Sequence, residues 1–142
     1  MTQRKGFRQM LDEALAEIVT LSVEEGKALL GDPGVVFVDL RDPRELEREG
    51  LIPGSFHATR GMLEFWIDPE SPYHKPVFAE NKKFVFYCAG GWRSALAAQT
   101  ARRMGLEDVA HIDGGFGRWK EAGFPVETRA PRQKPPGQQG GD

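Results

Sequence analysis

The chain has 142 residues, of which 39% are hydrophobic, a size and composition typical of one folded domain. With 19 basic and 21 acidic residues its formal charge is -2, which argues against a protein built mainly to hold nucleic-acid phosphates. No apolar run approaches the roughly 20 residues that span a bilayer, and acidic residues follow the basic N-terminus, unlike in a targeting peptide. We therefore expect a cytoplasmic protein that binds neither nucleic acid nor membranes.

The first third of the chain predicts two helices and a buried strand. Apolar side chains recur at helical spacing over residues 7–18, so residues 1–17 are assigned to an amphipathic helix. This helix packs against the body of the protein or against a partner, and we favour the body. The capping-box sequence Ser22-Val23-Glu24-Glu25 predicts a second helix over residues 23–30. The continuous β-branched and aromatic run over residues 35–38 predicts a strand covered on both faces.

The rest of the chain continues the alternation of strands and helices. Further strands are predicted over 55–58, 84–87 and 109–112, and further helices over 43–49, 61–67, 95–104 and 116–122. Three prolines between residues 69 and 76 predict a surface loop. This alternation is typical of a parallel sheet covered on both faces, which we assign to residues 18–127. Residues 128–142 contain no large apolar side chain, and we expect them to form a disordered tail.

The sequence YCAGGWRS at residues 87–94 carries the main chemical hypothesis. Its cysteine, Cys88, is the only one in the chain, which excludes internal disulfides, paired-thiol redox motifs and cysteine-clustered zinc sites. Cys88 follows a predicted strand, at the edge of a parallel sheet where ligands bind, as do Asp39 and Asp113. Gly90 and Gly91 allow the loop to turn its N–H groups inward and form an anion-binding nest. We expect these amides, the following helix N-terminus and a nearby guanidinium to favour the Cys88 thiolate.

Three side chains of the loop have two interpretations each. Arg93 either binds an oxyanion with its planar fork of donors or is held in a structural ion pair, and we favour binding. Ser94 is predicted to cap the helix, and its hydroxyl is also suited to donate to a bound sulfur or oxygen. Trp92 either forms a wall against a bulky donor or packs on the rim.

Four segments in this order resemble the rhodanese-like sulfurtransferases, from about residue 18 to residue 126. They are Val38-Asp39-Leu40-Arg41 with Glu45, Ile52-Pro53-Gly54-Ser55 with His57, the loop CAGGWRS, and Asp113-Gly114-Gly115-Phe116 with Trp119 and Gly123. The resemblance implies an α/β fold whose parallel five-stranded sheet is flanked by helices on both faces. It also implies sulfane-sulfur transfer through a persulfide on Cys88. The implied donor-binding residues are Ala89, Gly90, Gly91, Trp92, Arg93 and Ser94.

The resemblance implies that the reaction needs no cofactor and that its donor and acceptor are small molecules. The implied donor is a small sulfur-containing anion such as thiosulfate, and the implied acceptor is cyanide or a thiol. Some thiosulfate enzymes of the family carry basic residues where this chain has Ala89 and Gly90, so sulfur transfer is better supported than thiosulfate itself. Asp39, Arg41 and Glu45 are predicted to form a structural ion-pair set that holds the loop after the early strand. A supporting role in the pocket is the alternative. The three histidines lack metal-ligand spacing, and His57 and His111 are expected to form hydrogen bonds near strand ends.

Two other functions stay open from the sequence. Relatives that act as phosphatases or arsenate reductases have one more residue between the cysteine and the arginine than the four found here. The chain also lacks the second thiol that an internal reductase step needs. A sulfur carrier or binding module for a protein partner is the other alternative, with the N-terminal helix as its docking surface. A homodimer is compatible with either function.

Overall fold

The computed structural model describes residues 4–131 of the chain. Its strands are β1 Val19–Leu21, β2 Val35–Asp39, β3 Phe56–His57, β4 Lys83–Tyr87 and β5 Val109–Ile112. They form one parallel sheet in the order β1-β5-β4-β2-β3. The predicted α/β fold with a five-stranded parallel sheet is confirmed. The position of β4 between β2 and β5 places the residues that follow it at the middle of one sheet edge.

Helices cover both faces of the sheet. The helices of the described residues are α1 Phe7–Glu17, α2 Val23–Ala28, α3 Pro43–Glu49, α4 Leu63–Ile67, α5 Trp92–Arg103 and α6 Gly115–Glu121. Short 3-10 turns lie at Arg60–Met62 and Pro76–Ala79, and the second begins at the last proline of the predicted loop. No helix between residues 4 and 131 is long and apolar enough to cross a membrane.

Side chains of β4 show why β2 and β4 contain continuous apolar runs. Phe84 and Phe86 pack into a core layer with residues of α4 and α5. Val85 and Tyr87 point to the opposite face and pack with residues of α2 and α6. Because successive side chains of a strand alternate between faces, a sheet covered on both faces requires a continuous apolar run.

Helix α1 lies against α5. It therefore packs against the body of the protein, which is the interpretation that the sequence favours. Leu11 and Ala14 are buried in this contact. The Glu17 carboxylate accepts hydrogen bonds from Gln99 at 2.7 Å and from Arg103 at 3.0 Å. These contacts fix α1 on the outer side of the helix that begins at the Cys88 loop.

Several element boundaries differ from those predicted. The sequence analysis missed β1. This strand has three residues and pairs with β5 alone, so its sequence is too short to show a periodic pattern. Helix α2 ends at Ala28 and not at residue 30, and α5 begins at Trp92 and not at residue 95. Of the predicted tail, residues 128–131 form no helix or strand, and residues 132–142 lie outside the described residues. The division into residues 1–17, 18–127 and 128–142 stays a prediction.

Candidate active site

Cys88 directly follows β4, the strand that pairs with β2 on one side and β5 on the other. Its side chain is almost fully buried, with 1% of the residue exposed. A cavity of about 240 Å³ opens onto it, lined by Cys88, Gly90, Trp92 and Arg93. The thiol therefore lies at the floor of a small opening at the carboxyl edge of the sheet, as the sequence predicts.

Two backbone amides point at the sulfur. Gly91 N–H donates to Sγ at 3.1 Å, and Ser94 N–H donates at 3.4 Å. Gly91 makes this turn with a left-handed φ of 111°, whereas Gly90 does not adopt a positive φ. Hydrogen bonds and a helix N-terminus directed at one sulfur stabilise negative charge on it, whether on a thiolate or on a persulfide.

A second pair of amides holds the loop from behind. The carbonyl oxygens of Cys88 and Ala89 accept hydrogen bonds from the N–H groups of Phe116 at 2.8 Å and Gly117 at 3.0 Å. This close approach explains Gly115, whose φ is +57° and whose missing Cβ would lie 2.7 Å from the Ala89 carbonyl oxygen. The sequence predicts Gly114 and Gly115 only as a turn, but the tertiary role of Gly115 is to admit the Cys88 loop.

Ser94 does not cap the helix, so this prediction is wrong. Gly91 is the N-cap residue, and Ser94 is the third residue of α5. The Ser94 hydroxyl donates to the Gly91 carbonyl at 3.2 Å, and the Cys88 thiol donates to Ser94 Oγ at 3.6 Å. The alternative interpretation, donation by the hydroxyl to a bound sulfur or oxygen, stays a prediction.

His111 lies close to the Cys88 loop, and the sequence analysis did not predict this position. Its Nδ1 lies 3.0 Å from Ser94 Oγ, and its Nε2 lies 3.2 Å from Thr20 Oγ1. Burial lowers the pKa of His111, against the opposing charge of Asp113, so the imidazole is neutral at neutral pH. The hydrogen bonds expected for this histidine are present, and the one at Nδ1 links it through Ser94 to the Cys88 sulfur. The sequence does not show that β4 pairs with β5, and this pairing brings His111 close to the Cys88 loop.

Arg93 is held at the rim of the cavity by Glu45. Its guanidinium donates to the two carboxylate oxygens of Glu45 at 2.8 and 3.2 Å, which is the ion-pair alternative. The hydrogen bond from Arg93 lowers the pKa of Glu45, and the hydrogen bond and charge of Glu45 raise the pKa of Arg93. The Arg93 side chain, 41% exposed, thus keeps its charge while it lines the same cavity as Cys88.

Asp39 and Arg41 form a fully buried ion pair with an N–O distance of 2.7 Å. The prediction that Glu45 belongs to the same set is wrong, because its carboxylate accepts both hydrogen bonds from Arg93. Arg41 also donates to the Gly50 carbonyl at 2.7 Å, and its guanidinium carbon lies 4.4 Å from the centre of the Phe116 ring. Burial acts to lower the pKa of Arg41, but the hydrogen bonds and charge of Asp39 outweigh it and raise that pKa. Within residues 4–131 neither side chain forms a hydrogen bond with Cys88. The pair ties β2 to the segment after α3 and supports the ring behind the loop.

Trp92 occupies the rim and contacts α1. It is 59% exposed, although its ring lies 5.1 Å, centre to centre, from the ring of Phe7. Asp113 lies at the same sheet edge, but its exposed side chain pairs with Arg118. No group of three His, Cys, Asp or Glu side chains suited to a metal ion occurs in the part of the chain that the structure describes.

Comparisons with solved structures identify the fold. A protein of unknown function from Rhodopseudomonas palustris, described as a possible tyrosine phosphatase, is 64% identical, with a TM-score of 0.86 over 89% of this chain and 98% of its own. The polysulfide-sulfur transferase homodimer of Wolinella succinogenes is 29% identical, with a TM-score of 0.66 over 90% of this chain and 91% of its own. Sulfurtransferases are therefore among the structural neighbours of the chain.

Comparisons with curated proteins and family models locate the shared region. A tRNA uridine(34) hydroxylase from Erwinia tasmaniensis is 34% identical over 115 residues, which are 77% of this chain but 31% of the hydroxylase. The chain spans about a third to two thirds of the length of the curated relatives it matches. The rhodanese-like domain model matches residues 22–122, which contain the Cys88 loop, its supports and the whole sheet except β1. The chain belongs to the rhodanese-like domain family.

Proposed function

We propose that the protein is a sulfurtransferase that carries sulfane sulfur as a persulfide on Cys88. The observation that carries this proposal is the environment of Sγ, which accepts two backbone N–H bonds, lies near the Ser94 hydroxyl and faces a small cavity. Such donors stabilise the anionic sulfur before and after it accepts a second sulfur atom. The donor is a small anion of the thiosulfate or persulfide type, and the acceptor is cyanide or a thiol.

The reaction requires two displacements at sulfur. The Cys88 thiolate attacks the outer sulfur of thiosulfate, the S–S bond of the donor breaks, and sulfite leaves with the bonding electrons. Cyanide or a thiolate then attacks the outer sulfur of the persulfide and removes it, and the electron pair returns to Sγ. Because the chain has one cysteine, the persulfide cannot form an internal disulfide and waits for an external acceptor.

Incubation with thiosulfate is expected to add one sulfur atom to the protein, seen by intact mass spectrometry. Cyanide should remove this sulfur and release thiocyanate. A cyanide-labile sulfur on this chain is located at Cys88, since no other thiol is present. If the mass does not change and no thiocyanate forms with thiosulfate or a small persulfide donor, the proposed function is wrong.

Arg93→Gln is expected to raise the KM for thiosulfate about tenfold, with a smaller effect on kcat. The reason is that a charge-assisted hydrogen bond to an anion contributes about 1.5–3 kcal/mol. Arg103→Gln is the matched control, because Arg103 lies on the same helix, is exposed and pairs with Glu17 far from the cavity. Steady-state rates at varied thiosulfate measure both variants. An unchanged KM in Arg93→Gln would show that Arg93 serves only its ion pair.

Ser94→Ala is expected to lower kcat about tenfold and leave the KM for thiosulfate nearly unchanged. The substitution keeps the N–H bond to Sγ but removes the hydroxyl that lies between Sγ and His111 Nδ1. Thr20→Val removes the other hydrogen bond of His111 while leaving the contacts of the sulfur intact, and serves as the control. Equal rates in Ser94→Ala and the wild type would exclude a catalytic part for the hydroxyl.

A phosphatase is the second candidate, favoured by the description of the Rhodopseudomonas palustris relative. The site supports it less well, because only four residues separate Cys88 from Arg93 and the guanidinium is already bound to Glu45. A tetrahedral oxyanion needs a wider ring of donors than the two amides at Sγ. Hydrolysis of an aryl phosphate that is lost in Cys88→Ser would favour the phosphatase over the sulfurtransferase.

A further inference from the structure

Helix α1 and the start of α5 enclose an apolar groove of about 300 Å³ beside the Cys88 cavity. We call it the α1 groove, and it is lined by Phe7, Leu11, Trp92, Arg93 and Leu96. Trp92 and Arg93 also line the cavity that opens onto Cys88. The two spaces are therefore neighbours on either side of the same side chains. Since the rhodanese-like match begins at residue 22, the α1 wall is an addition to the matched region.

The wall of the groove is firmly held. Leu11 is 8% exposed and anchors α1 on α5, while the Glu17 carboxylate accepts from Gln99 and Arg103 at the other end of the helix. Phe7 packs on Trp92 with 5.1 Å between the ring centres, yet half of the Phe7 side chain stays exposed. Aromatic surface is thus presented to solvent beside the cavity that opens onto Cys88, on a helix held in place by these contacts.

The lining determines what the groove is able to hold. Its one charged member, Arg93, has its guanidinium bound to Glu45, so the groove offers aromatic and aliphatic surface. Such a lining does not replace the water around a sulfonate or an ammonium group, but it gains from burying an alkyl or aryl group. The volume of about 300 Å³ is at the small end of ligand pockets, which fits a group of ring size.

We propose that the α1 groove binds the apolar organic group of a thiol that accepts sulfur from Cys88. This inference rests on the proposed sulfur transfer. The thiolate of the acceptor attacks the outer sulfur of the Cys88 persulfide, the S–S bond to Sγ breaks, and its electron pair returns to Sγ. The acceptor leaves as an organic persulfide. Because each step is reversible, the same groove holds the organic group of a persulfide donor.

Two thiols that differ only in a distant phenyl ring test the groove. Ethanethiol and 2-phenylethanethiol have sulfur atoms of similar reactivity, since the ring is two carbons away. The protein is first loaded with thiosulfate, loading is verified by intact mass, and the second-order rate of discharge is measured with each thiol. Discharge of a free cysteine persulfide corrects for intrinsic reactivity. We expect 2-phenylethanethiol to react at least about tenfold faster at Cys88, because its ring becomes buried.

Two phenylalanines of equal exposure give the matched variants. Phe7→Ala should reduce the ratio of the two discharge rates severalfold, because it removes one wall of the groove. Phe65→Ala should keep the wild-type ratio, since Phe65 is 52% exposed against 50% for Phe7 but lies on α4 and does not line the groove. A ratio near one in the wild type, or a ratio unaffected by Phe7→Ala, would overturn the proposal.

A binding measurement separates failure of the groove from failure of the proposed function. Methyl 2-phenylethyl sulfide has the same ring but no thiol, so its binding requires no reaction. Binding should shift the fluorescence of Trp92, the most exposed of the three tryptophans, and the shift should be absent in Trp92→Phe. Absence of a cyanide-labile sulfur contradicts sulfur transfer, whereas normal loading without thioether binding contradicts the groove alone.

Discussion

Cys88→Ser is expected to reduce sulfur transfer from thiosulfate to cyanide by at least about a thousandfold, to the level of the uncatalysed reaction. A serine hydroxyl is far less acidic than a thiol and forms no S–S bond, so the variant should acquire no cyanide-labile sulfur. The fold should survive, because serine is close in size and its oxygen is able to accept the N–H bonds of Gly91 and Ser94.

Cys88→Ala is the control that separates chemistry from packing. It should be equally inactive, but less stable than Cys88→Ser by about 1–2 kcal/mol, because alanine leaves the two buried amides without an acceptor. Thermal unfolding and thiocyanate release measure the two effects separately. Retention of more than a tenth of the activity in Cys88→Ser would show that Cys88 is not the nucleophile.

Gly115→Ala is expected to lower kcat at least about a hundredfold and to destabilise the protein by at least about 2 kcal/mol. The new Cβ would collide with backbone, the carbonyl oxygens of Cys88 and Ala89, which have no freedom to rotate away. The loop must then move, and the N–H bonds from Phe116 and Gly117 lengthen or break. For a chain of this size, Tm should fall by about 8 °C.

Gly123→Ala is the control that measures the loss of stability caused by the left-handed backbone alone, without a collision. Gly123 lies just beyond the end of α6 with a φ of +76°, but nothing lies within 4 Å of the position of its missing Cβ. This control should lose about 1 kcal/mol and keep its activity. If Gly115→Ala is as active as Gly123→Ala, the loop does not depend on the close approach of α6.

Residue patterns within single segments were sufficient to predict the buried strands and most of the helices. The apolar runs of β2 and β4 are explained by burial on both faces, and the capping box of Ser22 and Glu25 is present as predicted. The start of α5 was misplaced because the left-handed turn at Gly91 allows Trp92 to begin the helix. That conformation depends on the loop packing against α6, which no local pattern contains.

Residue roles that depend on contacts between distant segments could not be predicted from the sequence. Ser94 was assigned to a cap from its position alone, whereas its hydroxyl lies between Sγ and a histidine 17 residues further along the chain. Arg93 was open to two interpretations until α3 was seen to place Glu45 beside it. The donor-binding role of residues 89–94 stays a prediction.

The sequence by itself determined the fold class, the family and the position of one thiol between a buried strand and a helix. It did so because these features depend on residue type and spacing along the chain. Only the tertiary structure decided which groups surround that thiol: the amide of Gly91, the hydroxyl of Ser94, the imidazole of His111 and the aromatic wall of α1. The physical reason is that the order of strands in the sheet sets these distances, and that order follows from packing over the whole chain.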